Sequence, residues 1–312
     1  MRTTTLGPTA LAVLLLLASL GGSGCSLLRR SALNEVANTF ADSGTAFASD
    51  DDPDLVKAAA PFSLKLLESL LVETPDHPGL LLAATRGFTQ YAFGFVQQEA
   101  DELEAHDLTA AETRRTRARR LYLRARQYGL RGLEVNHAGF AAAILVHPGA
   151  AVGAATRADV PLLYWTAAAW GGAIALSKDN PELIAQLPAM EALIDRALEL
   201  DEGYGRGAIH GFLITYEMSR QGRSGDPAAR ARAHFERAMV LSEGRDAAPL
   251  VALAEAVTVQ QQNVKEFESL LNRALAIDPN VQPDTRLQNL IMQRRARWLL
   301  SRKTELFLIE TE

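Results

Sequence analysis

From Pro53 to the C-terminus, the apolar residues of this chain recur three and four positions apart and almost nowhere alternate. Met190, Leu193, Ile194, Ala197 and Leu198 lay one apolar stripe along a helix, and Phe267, Leu270, Leu271, Ala274 and Leu275 repeat the spacing. Ile209, Phe212, Leu213 and Tyr216 follow it more loosely. Runs with the period-2 pattern of a half-buried strand are nearly absent, so the expected fold class is all-α. Helix boundaries can be read as well. Asn180-Pro181 and Asp226-Pro227 each place a side-chain acceptor before a proline at the first helical position. Gly222 and Gly244 stand just past periodic runs, where a left-handed residue closes a helix. Short connections predict that sequential helices pack antiparallel.

One phrase recurs. Arg196-Ala197-Leu198-Glu199-Leu200-Asp201, Arg237-Ala238-Met239-Val240-Leu241-Ser242 and Arg273-Ala274-Leu275-Ala276-Ile277-Asp278 share a pattern. Arg131-Gly132-Leu133-Glu134-Val135-Asn136 is a fourth copy and Glu68-Ser69-Leu70-Leu71-Val72-Glu73 a fifth. The shorter intervals, 41 and 36 residues, approach the tetratricopeptide (TPR) unit of about 34 residues, whose second helix ends in a similar phrase. The expectation is a TPR-like array of degenerate antiparallel helical pairs. One pair cannot bury its apolar face alone, so neighbours stack and curve around a concave surface or a central pore.

The N-terminus carries an address. Arg2 precedes Ala10–Leu20, an apolar run broken only by Ser19. Eleven residues rise about 16 Å, half a bilayer core, which suits a signal peptide and is too short to span. Gly21, Gly22, Ser23 and Gly24 then lead into Cys25, the single cysteine. This resembles a bacterial lipobox, with Gly22 where an aliphatic residue usually stands, and it marks Cys25 as the lipidation site. Residues 1–24 are thus expected to be a lipoprotein signal peptide, 25–53 a lipid-anchored flexible tether and 54–312 the TPR-like helical domain. Ser26 lacks the acid linked to inner-membrane retention, which leans the anchor toward the outer membrane. Lys and Arg number 32 against 37 Asp and Glu, for a formal charge of −5. That balance argues against nucleic acid as a partner. A lone cysteine excludes an intrachain disulfide and any multi-cysteine metal site.

No common enzyme motif is found. Gly203, Gly205 and Gly207 follow a helix and lack dinucleotide-fingerprint spacing, so a helix cap followed by close packing explains them. No two of the six histidines share an i, i+4 face, and neither metal nor cofactor is expected. The arginines from Arg114 to Arg126 fall on all sides of a helix, downstream of an acidic stretch, and read as a solvated hairpin with cross-helix ion pairs. Val160–Leu176 differs, because it carries no charge on any face and holds Tyr164, Trp165 and Trp170 among Ala and Gly. Such a helix must be surrounded by protein. Its rings either pack against neighbouring helices or wall a hydrophobic cavity, to which Tyr164, Asn136 and His210 would add polar groups.

Within this setting stand Pro161-Leu162-Leu163-Tyr164-Trp165 with Trp170, and Ala197-Leu198 with Leu200-Asp201, Tyr204, Gly207-Ala208 and His210. Together with the lipobox-like Cys25 and the TPR-like phrases, they resemble the TatT family, the T component associated with tripartite ATP-independent periplasmic (TRAP) transporters. The likeness runs from about Asp54 to the C-terminus and is strongest over 160–216. It implies a periplasmic lipoprotein, not an enzyme, that assembles as a trimer and engages the P-type solute-binding protein of the transporter. It also implies a hydrophobic pore for a hydrophobic or amphipathic organic acid, with Tyr164, Trp165 and Trp170 as ligand-binding wall and Tyr204 and His210 nearby. Two other readings remain: a general TPR-like scaffold lipoprotein of envelope assembly, and an enzyme whose site is assembled from distant residues.

Overall fold

A computed structural model describes residues 44–308. Cys25, the signal peptide and the tether up to residue 43 lie outside the described residues. Within them every regular element is helical and no strand occurs. The principal helices are α1 (Pro53–Glu73), α2 (Pro78–Tyr91), α3 (Gln98–Leu103), α4 (Leu108–Asn136), α5 (Phe140–Val146), α6 (Val160–Ala175) and α7 (Leu187–Leu200). They continue as α8 (Ala208–Tyr216), α9 (Pro227–Leu241), α10 (Ala247–Leu253), α11 (Val264–Leu275) and α12 (Arg286–Ser301). Single turns fill several of the connections. A short helix, Gly44–Ala48, precedes α1 and packs on α12, so the packed structure begins ahead of Asp54.

The ends form where capping chemistry places them. Asp52 accepts from the amides of Asp54 and Leu55 at the head of α1, and Asp226 from those of Ala228 and Ala229 at the head of α9. Asn180 caps the turn at Pro181 through the amide of Leu183, and the His77 ring caps α2 through that of Leu80. Gly222 and Gly244 have φ of 73° and 69°, the left-handed geometry that ends a helix. All five recurring phrases sit at the C-terminal ends of helices, namely α1, α4, α7, α9 and α11.

Helices that follow one another lie against each other: α1 on α2, α2 on α4, α4 on α6, α6 on α7, α8 on α9, and α10 on α11 and α12. Glycine permits the tightest of these approaches. A Cβ on Gly132 would stand 2.8 Å from Leu162 Cδ2, and one on Gly172 would stand 2.7 Å from the buried Tyr122 ring. The apolar side chains form two clusters, one running from α1 to α8 and the other from α8 to the C-terminus. Ile209 and Leu213 belong to the first and Ile214 to the second, so α8 is the seam.

The last long helix returns to the first. Arg294 of α12 holds Glu102 of α3 through Nε at 2.9 Å, and Arg295 reaches Asp101 at 3.1 Å. Arg286 Nη1 donates to the carbonyl of Ser49 at 2.9 Å. Two π-helical segments, Ala92–Gln97 after α2 and Ala254–Thr258 after α10, both face this closing helix. Ile291 packs over Gly94 of the first, and Glu255 of the second pairs with Arg295. The helical series therefore closes end to end. Cross-helix ion pairs of the arginine run are present as expected: Arg114 meets Glu99 at 2.7 Å and Arg115 meets Glu104 at 3.0 Å. No helix among the described residues is long and apolar enough to cross a membrane.

Candidate functional site

The uncharged segment folds as α6, and its two faces have different surroundings. Tyr164 and Trp165 project on one side, with ring centroids 4.9 Å apart in an edge-on contact. Tyr204 joins them across 40 residues of sequence, its ring 5.5 Å from that of Tyr164. A tight turn delivers it: Gly205, Arg206 and Gly207 all have positive φ (55°, 59° and 93°), a conformation costly for a non-glycine residue. Arg206 is held there by donating from Nη2 to the Ser242 carbonyl at 2.6 Å. Gly207 lies close on α9, where a Cβ would stand 3.2 Å from the Ala238 backbone. Cap geometry and close packing thus account for these glycines.

All three rings are half-buried. Burial pushes the Tyr164 phenol far above the ordinary tyrosine range, and its hydroxyl makes no hydrogen bond to a described residue. Burial also raises Tyr204, opposed by its polar contact with Trp165 and by the charge of Arg86. Arg86 lies on α2, which packs on α6. It is half-buried and has no hydrogen bond or ion pair to a described residue. Motif reading does not single it out, although a signal exists: it is the one charged residue from Pro78 to Gln97.

The other candidates lie apart from this cluster. Trp170 is on another face of α6 and fully buried. Its Nε1 donates to Gln186 Oε1 at 3.1 Å, and the Arg126 guanidinium lies 4.9 Å from its ring centroid. Asn136 ends α4 at the surface and donates to Asp159 Oδ1 at 3.3 Å. His210 points toward α9, its Nδ1 2.9 Å from Nδ1 of His234, with Glu202 3.5 Å from its Nε2. Burial holds both imidazoles below their ordinary value, and the neighbouring His210 lowers His234 further. His210 also borders an open surface depression of about 500 Å³ shared with Arg157, Leu198, Leu200, Asp201 and Glu202. Among the described residues, no three His, Cys, Asp or Glu side chains gather as a metal site.

The described part of the chain is thus a helical component whose last long helix returns to its first, with Tyr164, Trp165 and Tyr204 gathered beside one another at α6. Comparison with known proteins places that component in a transport system: the family model described as TRAP transporter T-component matches residues 49–307. The chain belongs to this family, whose members are transporter accessories and not enzymes. A protein of Treponema pallidum (strain Nichols), itself described only as an uncharacterized protein, is 31% identical over 306 residues. That match covers 92% of this chain and 94% of the relative.

Proposed function

We propose that this protein is a lipid-anchored periplasmic T component, tethered through Cys25, that docks a P-type solute-binding protein and takes up a hydrophobic or amphipathic organic acid. The helical pairs act as a TPR-like array around an apolar pore, with Tyr164, Trp165 and Tyr204 in its wall. One observation carries this reading. Tyr164 as a residue is half-buried while burial strongly desolvates its phenol. Both conditions hold for a ring that faces a gap enclosed by protein. The closure of α12 onto α1 and α3 supports such an enclosure, since stacked helical pairs that meet end to end surround a hole. Trp170, Asn136 and His210 are engaged by Gln186, Asp159 and His234, and so stand outside the proposed wall. In the periplasm the chain assembles with copies of itself, as a trimer.

Binding of a fluorescent fatty-acid probe tests the pore. Trp165→Ala is expected to weaken it about tenfold or more, the scale of losing one large aromatic contact. Unchanged affinity in a variant of native helicity would remove Trp165 from the wall. Affinity purification tests the docking. Recovery of a P-type solute-binding protein is the expected result, whereas recovery of envelope-assembly proteins without one would favour the scaffold reading.

A further inference from the structure

Helices α1 and α4 both pack on α2, and three polar bridges tie them together in parallel register. Lys57 and Arg114 share Glu99 of α3. Glu68 accepts from Tyr128 at 2.8 Å and meets Arg124 at 3.5 Å, and Arg131 donates to the Pro75 carbonyl at 2.6 Å. The outward stripes of the two helices therefore share one surface. On α1 that stripe runs opposite the buried Leu64, Leu67 and Leu71 and carries Leu55, Phe62 and Val72, exposed by 58%, 74% and 78%. On α4 it is Arg117, Arg120, Arg124 and Arg131, spaced i, i+3, i+7 and i+14. Rings prop up three of these cations: Arg117 lies over Tyr91, Arg124 over Phe88 and Arg131 over Tyr128, at 5.8, 5.5 and 5.8 Å from the centroids. Arg117 and Arg120 meet no acid among the described residues, and they border an open depression of about 750 Å³ with Leu108, Thr109, Thr113 and Thr116. Glu112, on the same rim, bonds to Arg115 at 2.8 Å. Glu68 and Glu99, the acids between the helices, are each matched by two cations. This face is thus basic on a chain whose formal charge is −5.

We infer that the α1–α4 face rests on a bilayer of anionic phospholipid, with the α4 arginines on headgroup phosphates and Leu55, Phe62 and Val72 dipping into the acyl boundary. Two features select a lipid surface. The cations and apolar groups are spread along about 25 Å of helix, which suits a plane of many headgroups better than one small anion. Cys25 precedes Gly44–Ala48, the helix that leads into α1, by 19 residues, at most about 65 Å of chain. Lipidation at Cys25 holds this face within reach of a membrane, where each basic residue adds to the attraction for an anionic leaflet. The inference rests on the anchored reading above and adds to it the orientation of the domain on the bilayer.

Co-sedimentation with vesicles tests it, using the mature chain from residue 25 onward with Cys25→Ser, so that no acyl chain contributes. At about 50 mM salt, vesicles with about 30% phosphatidylglycerol in phosphatidylcholine are expected to bind at least about tenfold more tightly than phosphatidylcholine alone. Arg117→Gln combined with Arg120→Gln should remove most of that preference. Arg273→Gln combined with Arg297→Gln, two exposed arginines on α11 and α12, should leave it largely intact. Phe62→Ala should weaken binding about threefold or more while keeping the preference for anionic vesicles. Melting temperatures near the parent's are expected throughout, since every residue replaced is at the surface. Equal binding to both vesicles, or equal losses in the two arginine pairs, would overturn the platform. Full affinity in Phe62→Ala would overturn the apolar contact. Binding to neither vesicle would also overturn the platform and leave the face to an acidic protein partner. Anchoring is read separately, by incorporation of a palmitate analogue at Cys25 in cells, so its failure is distinct from that of the platform.

Discussion

Glycine illustrates how one residue type means different things at different positions in this protein. Gly172 faces the ring of Tyr122, which is buried and pinned by its hydroxyl to Gln97 Oε1 at 2.7 Å. A methyl group at 172 would have to displace that ring. Gly211, in the middle of α8, has nothing within 4 Å of an added Cβ. Gly172→Ala is therefore expected to cost about 1–3 kcal/mol through overpacking. Gly211→Ala should stabilise by about 0.5–1 kcal/mol through helix propensity alone. Urea denaturation with unchanged slope measures both, and the opposite signs are the critical outcome. Nothing in the sequence separates the two, since each glycine lies inside an apolar helical run. The caps are the contrasting case. Asp52, Asn180 and Asp226 work on amides two or three residues away, so their roles are written locally.

Between elements, α8 and α9 are joined by the His210–His234 contact. Two imidazoles with nitrogens 2.9 Å apart share a single hydrogen, which requires at least one ring to remain neutral. Glu202 faces the pair as a partial counterweight, while Arg237 and Arg220 oppose protonation. Both histidines are depressed in the fold, so the unfolded chain binds protons more readily. Their contribution is complete above the ordinary imidazole value of about 6.5 and is lost as pH falls below it. Melting temperature is expected to drop between pH 7.5 and 5.5, and the drop should be smaller in His210→Gln. Equal acid slopes in the two proteins would show that other groups set the pH dependence. The sequence places these histidines on separate helices, 24 residues apart, and leaves both unassigned to each other. The π segments at 92–97 and 254–258 were equally hidden, and both lie against α12 through Ile291 and Arg295.

At the scale of the whole molecule, closure depends on α12. Arg295 is buried between Asp101 and Glu255, and Arg294 holds Glu102; Asp101 and Glu102 lie on α3, more than 190 residues away along the chain. Removing Arg295 would leave two carboxylates facing each other, and burial already raises the pKa of Asp101. Arg295→Ala is expected to cost about 3–5 kcal/mol, the scale for breaking a buried pair. Amide exchange should quicken in Gln98–Leu103 and in α12 together, while α8 and α9 keep their protection. Quickening confined to α12 would mean that closure does not rest on this contact.

Local physics alone was enough to specify an all-helical chain, the proline and glycine boundaries, the helix-end phrases and the uncharged α6, because each depends on residues within one or two turns of each other. The meeting of Tyr204 with Tyr164, the pairing of His210 with His234 and the return of α12 to the first helices join residues from 24 to more than 190 positions apart. A 3.6-residue period states which face of a helix is apolar, but it does not state which distant helix will cover that face. That choice follows from side-chain volumes fitting across many elements at once, and it exists only in the packed molecule.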